Sequence, residues 1–213
     1  MTKVMAKKFI ATTDDGQDMS EELLNFAYQI GLETAVPGRY SSLLLLGLFG
    51  SSQSGLLNPA KVIREIEALE GIGIPSRLKQ ASPLNRPLLK GLWHKHYLED
   101  GLSAMAFNLE KGMKIYGIPF VEQRIREAQE AGEERYVSID DCQSIANDVV
   151  QGNWMRLAND SKLTGEWIVY AQHEGMNYYL CLGKHGGDGN LRKQIDAVCC
   201  QEFPFLNDLL SGT

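Results

Sequence analysis

Apolar residues recur at helical spacing through most of this chain, and in one stretch near its end they alternate with period two. That stretch runs from Gly165 to His185 and reads as two strands, Trp167 to Gln172 and Asn177 to Leu182, around a Glu174-Gly175 turn. Closing the turn there pairs His173 with Met176 and Gln172 with Asn177. One face then carries Trp167, Val169, Ala171, Tyr178, Leu180 and Leu182, which is wholly apolar. It must pack on a core, where each large side chain contributes roughly 1.5–3 kcal/mol. The other face carries Glu166, Ile168, Tyr170, Gln172, Asn177, Tyr179, Cys181 and His185. Being mixed, it is expected to be half-exposed or to line a cleft. In this register Glu166 pairs with Gly183, with His185 two residues further along the same face.

Elsewhere the period is helical. Asp18 or Ser20 caps a helix with Leu23, Leu24, Ala27, Tyr28 and Ile30 on one stripe, stopped at Gly31. The run SSLLLLGLFGSS favours helix over strand because leucine dominates and β-branched residues are missing. Asn58-Pro59 opens a helix striped by Val62, Ile63, Ile66 and Leu69. Leu88, Leu89, Leu92, Trp93 and His96 also fall at helical spacing. A further helix from near Gly101 to Lys114 carries Leu102, Met105, Ala106, Leu109 and Met113 on one face, with the methionines expected as core filler. Pro119 opens a helix through Val121, Ile125 and Ala128, closed by Gly132, whose charged face is expected in solvent. Ser138 to Asp141 caps the next one, expected to stop at Gly152. A last helix spans about Asn190 to Glu202 and ends before Pro204. Phe9 to Thr12 is a short strand candidate.

The fold class expected is α+β, with a mostly helical N-terminal part and a C-terminal antiparallel hairpin or small sheet packed by helices. Pro75, Pro83 and Pro87 with two glycines mark residues 71–87 as a linker. They suggest a helical part over 1–87 and an α+β part over 88–213, with one continuous domain as the alternative.

Charge and cysteine usage narrow the partners. A net charge of −6 disfavours nucleic acid as a broad-surface ligand, though a local basic pocket remains compatible with it. Cys142, Cys181, Cys199 and Cys200 show no CxxC spacing and suit reduced thiols in the cytoplasm. The longest apolar run, Leu43 to Phe49, falls far short of the roughly 20 residues of a membrane span, so no membrane is expected.

Three places hold candidate chemistry. At Lys184-His185-Gly186-Gly187-Asp188-Gly189-Asn190 a strand meets a helix start through glycines. Free N–H groups there suit an anion, with Lys184, Gly186, Gly187 and Gly189 as candidate anion-binding residues. Asp188 counts against this, since it is itself a helix cap. The mixed hairpin face joins His185, Glu166, Tyr170 and Tyr179, a set able to do general acid/base work. The third is His94-Lys95-His96, which could grip zinc with a third ligand on a strand but not on a helix. The leucine spacing favours helix, and no metal or cofactor is assigned.

Two functional readings follow. One is a metal-independent, histidine-based hydrolase or phosphate-acting enzyme, with His185 as acid/base, Glu166 orienting it, Tyr170 or Tyr179 assisting, and a small anionic ligand in the loop. The other is an acidic regulatory or partner-binding module without catalysis, of an inhibitor-like or immunity-like kind, with a protein partner.

Overall fold

A computed structural model describes residues 10–13, 15–55, 57–99, 101–184 and 187–211. Phe9, His185 and Gly186, named above, lie outside them. The chain is α+β and divides into two units. The first comprises Met1–Ser76, Ala81–Asp100 and Glu166–Thr213; the second comprises Arg77–Gln80 and Gly101–Gly165. This is not a single cut at residue 87, because the N-terminal helices and the C-terminal hairpin share one unit.

In the first unit, helix limits follow capping chemistry. Helix α1 (Ser20–Gln29) starts where the Ser20 N–H donates to Asp18 Oδ1 at 2.9 Å. The short α2 (Leu32–Ala35) follows Gly31, whose φ of 83° few side chains tolerate. Ser41 caps α3 (Ser42–Gln53) by accepting from the Leu44 N–H, and Asn58 caps α4 (Pro59–Leu69) by accepting from the Ala60 N–H. Four antiparallel strands then pair in chain order: β1 (Ser82–Pro83), β2 (Trp93–Tyr97), β3 (Glu166–His173) and β4 (Met176–Gly183).

Each face of this sheet is covered. Tyr97, Ile168, Tyr170 and Tyr179 pack against leucines and isoleucines of α1 to α4. Trp167, Val169, Ala171, Leu180 and Cys181 pack against Leu191, Ile195, Cys199 and Leu206 of the C-terminal helices. So the mixed hairpin face is neither half-exposed nor a cleft, which corrects the expectation from its composition.

The hairpin pairs His173 with Met176 and Gln172 with Asn177 as anticipated. Between Val169 and Tyr170 the register shifts: Val169 faces Cys181, Tyr170 faces Tyr179, and Leu180 is the extra residue of a bulge. Gly183 therefore pairs with Trp167 rather than Glu166, and Cys181 and Leu182 exchange faces. The bulge frees the Leu180 carbonyl, which accepts from the Ser41 hydroxyl and from the Cys199 thiol at 3.6 Å. Outside it, the Tyr179 N–H donates to Arg39 O and the Ser41 N–H to Tyr179 O, so the 39–41 segment covers the edge of β4.

Residues 88–96 do not form the expected helix. Pro87–Leu89 is a 3-10 turn, Gly91 takes a φ of 96°, and β2 begins at Trp93. Leu89 and Leu92 still reach the core, but strand pairing with β3 satisfies the backbone. The chain closes with α9 (Asp188–Gln194), a π-helical turn at Ile195–Cys199, α10 (Cys200–Glu202) and α11 (Phe205–Leu210). Before these elements, the second unit holds α5 (Leu102–Tyr116), α6 (Pro119–Ala131), α7 (Ile139–Asn147) and α8 (Asn153–Asn159). Gly152 does not stop α7, because a π-helical turn at Asp148–Gly152 carries it into α8. Helix α5 turns Asn108 and Gly112 inward, with Gly112 so close to Asn153 that a Cβ would sit 2.8 Å from Asn153 Cβ. Leu102, Met105 and Met113, expected as core, are exposed.

Candidate functional site

The register of β2, β3 and β4 gathers ionisable side chains at one end of the sheet. His96 faces Trp167, Tyr97 faces Glu166, and Gly183 faces Trp167 from the other side, with Lys184 next in sequence. Because alternate strand residues share a face, His94 and His96 stand side by side. Their ring centroids are 5.2 Å apart, and the His94 ring lies 4.9 Å from the Trp167 ring. Both are buried, His96 to 2% exposure. Tyr97 is on the opposite face, where burial raises its phenol pKa and the Glu99 and Glu166 carboxylates raise it further. Lys184 Nζ lies 3.5 Å from Glu99 Oε1. The two imidazoles thus lie on one face of this small sheet, and the Tyr97 phenol with the Glu99 and Glu166 carboxylates on the other. Among the described residues, no group of three histidine, cysteine, aspartate or glutamate side chains is arranged to hold a metal ion.

Of the residues singled out from sequence, Glu166 and Lys184 lie at this end of the sheet, Glu166 half-buried and Lys184 exposed. Tyr170 and Tyr179 do not join them: they are buried at 1% and 0% exposure in the core under α1 to α4. Burial pushes the Tyr170 phenol up to about 12. Tyr179 donates to Glu70 Oε1 at 2.7 Å, and burial together with that bond raises its pKa strongly. Glu70 also accepts from Asn177 Nδ2 at 3.0 Å and from Arg39 Nη2 at 2.5 Å. The glycine loop is a tight turn where it is described: the Gly187 N–H donates to Lys184 O at 3.3 Å. Gly189 belongs to α9, and Asp188 at its start pairs with Arg86 at 3.0 Å. The first turn of that helix therefore already holds an anion of the chain's own.

Sequence reasoning set aside the two histidines of β2 when it favoured helix for that segment. The signal that would have found them is Trp93-His-Lys-His-Tyr97, whose large residues suit a strand. It also missed a polar group on the opposite face. Lys95 Nζ sits 3.2 Å from Glu65 Oε2 on α4 and donates to Ser76 Oγ at 2.8 Å, while the Ser76 hydroxyl donates to Glu65 at 2.5 Å. Burial lowers the Lys95 pKa, and the Glu65 carboxylate partly offsets this. The Cys181 and Cys199 thiols are unsuited to nucleophilic work: burial raises Cys181 well above its ordinary value and pushes Cys199 up to about 12. No protein-family model, curated protein or solved structure matches this chain.

Proposed function

We propose that the protein is a histidine-based hydrolase acting on phosphodiester or other phosphate ester bonds, with its site at the Tyr97–Glu166 end of the sheet. The observation that supports this most is the placement of His94 and His96 side by side on β2, beside Trp167. Imidazole is the side chain that titrates nearest neutrality. In this reading one neutral ring takes the proton of the attacking hydroxyl, and the other, protonated, gives one to the leaving oxygen. Lys184 offsets the negative charge that develops on the phosphoryl oxygens. Glu166, next to Trp167, and His185, next to Lys184 in sequence, complete the proposed set as the orienting carboxylate and a further acid/base group. The ligand is a small phosphate-bearing anion.

The test measures hydrolysis of bis-p-nitrophenyl phosphate and of a fluorogenic RNA oligonucleotide across pH. His94→Ala, His96→Ala and His185→Ala are compared with wild type, and His173→Ala serves as a control because that ring stacks on Phe205 away from the site. A bell-shaped pH profile and a loss of about 10²-fold or more are expected in at least one of the three. Equal rates in all of them, or no hydrolysis of either substrate by wild type, end this reading.

A further inference from the structure

Helix α4 turns Val62, Ile63, Glu65 and Ile66 inward, so a carboxylate lies among apolar side chains. On β2, Lys95 alternates with His94 and His96 and therefore points to the opposite face of the sheet, towards α4. After α4 the chain turns back through Gly71 and Gly73, whose φ angles of 72° and 81° suit glycine, and lays Ser76 against both side chains. Three contacts close a triangle: Ser76 Oγ to Glu65 Oε2 at 2.5 Å, Lys95 Nζ to Ser76 Oγ at 2.8 Å, and Lys95 Nζ to Glu65 Oε2 at 3.2 Å.

A buried lysine–glutamate pair is by itself weak support for a fold, because desolvation offsets the attraction. This pair converges on a hydroxyl that water reaches: Lys95 and Glu65 are buried, whereas Ser76 is half-buried in the loop after α4. A hydroxyl at the surface, a base within hydrogen-bond reach behind it and a third group orienting that base is the arrangement that activates serine. The Ser76 hydroxyl donates to the carboxylate, so the acceptor for its proton is already in place. The ammonium donates to the same hydroxyl oxygen and favours its becoming anionic. We infer that Ser76 is a nucleophile for acyl transfer from carboxylic esters, with Glu65 as its general base and Lys95 as the cation that supports both. Ile72 and Ile74, 46% and 66% exposed just before Ser76, offer apolar surface to an acyl chain. In acylation the Ser76 oxygen bonds to the carbonyl carbon and its proton passes to Glu65. The ester C–O bond then breaks, and Glu65 gives that proton to the departing alcohol. Water attacks the acyl-serine by the same route, releasing the carboxylic acid and returning the proton to Ser76.

The test treats the full chain with a fluorophosphonate probe, which labels an activated serine with loss of fluoride, and locates the adduct by intact mass and peptide mapping. Hydrolysis of p-nitrophenyl acetate is followed in parallel. Native wild type is expected to carry one label, on Ser76, and guanidinium-unfolded wild type none. Ser76→Ala should lose the label and the hydrolysis together. Glu65→Gln keeps an acceptor oxygen but not its basicity, and should label about 10²-fold more slowly with an unchanged far-ultraviolet circular dichroism spectrum. A native wild type without label, a label that maps to another residue, or equal labelling of folded Glu65→Gln would overturn the inference. The mapped position in the wild type decides the identity of the nucleophile without relying on any variant to fold.

Discussion

Replacing Lys95 by methionine keeps the length of the side chain and removes its charge. The ammonium and the Glu65 carboxylate are 4% and 7% exposed and 3.2 Å apart, so neither meets bulk water. A buried carboxylate left without its cation typically costs about 3–5 kcal/mol. The Ser76 hydroxyl still donates to Glu65, which places Lys95→Met near 3 kcal/mol, the low end of that range. Against a total stability of roughly 5–15 kcal/mol for a folded protein, that loss is large. In the double variant Lys95→Met/Glu65→Leu both charges are gone, and stability should return to within about 1 kcal/mol of wild type or exceed it. Guanidinium unfolding at neutral pH, read as midpoint shifts at constant slope, measures all three proteins. A Lys95→Met variant as stable as wild type, or a double variant no better than the single one, would refute the argument that this pair acts as a mutually dependent buried unit.

Three further outcomes follow from contacts described above. Asn108 is 1% exposed, donates to Thr164 O at 2.8 Å and accepts from the Thr164 N–H at 3.0 Å. Asn108→Ala strands both backbone groups, should cost about 2–3 kcal/mol, and should speed hydrogen exchange in α5 and around Thr164; unchanged exchange would refute it. Burial pushes the Glu70 carboxyl up, but bonds from Arg39, Tyr179 and Asn177 outweigh it and hold the pKa below its ordinary 4.5. A carboxylate depressed on folding contributes stability that is present above 4.5 and lost as pH falls through its folded value, so Glu70→Gln should flatten stability against pH in the acid range, measured by urea unfolding. For the thiols, Ellman's reagent should modify exposed Cys142 rapidly in the native protein and reach buried Cys181 and Cys199 only on denaturation; comparable rates would contradict their burial.

The elements most legible in the sequence are those that local chemistry decides. Asn58-Pro59 and the Ser138–Asp141 capping box each satisfy orphan N–H groups within a few residues, and the helices begin there. Residues 88–96 were not legible, because leucines at helical spacing also suit a turn followed by a strand, and only pairing with distant β3 decides between them. The bulge at Leu180 was equally hidden, since its carbonyl is satisfied by Ser41 and Cys199, far away along the chain. That one extra residue displaced the expected pairing of Glu166. On α5, the stripe of leucine and methionine pointed to the wrong inner face because a close helix crossing selected small Gly112 and hydrogen-bonded Asn108 instead. The composition of the candidate site could be foreseen for Glu166 and Lys184, but its histidines follow from the sheet.

Tyr97 and Glu166 are direct partners across two central strands, yet the chain builds nearly the whole second unit on its way from one to the other. In topological terms this is a strand-to-strand connection that has swollen into an autonomous-sized excursion. Closing so long a loop costs little at equilibrium, only about 0.6 kcal/mol for each doubling of its length, so the arrangement is thermodynamically cheap. Its burden is kinetic: the middle of the sheet cannot zip up until the polypeptide has returned. Helical contacts close in sequence can form in the meantime.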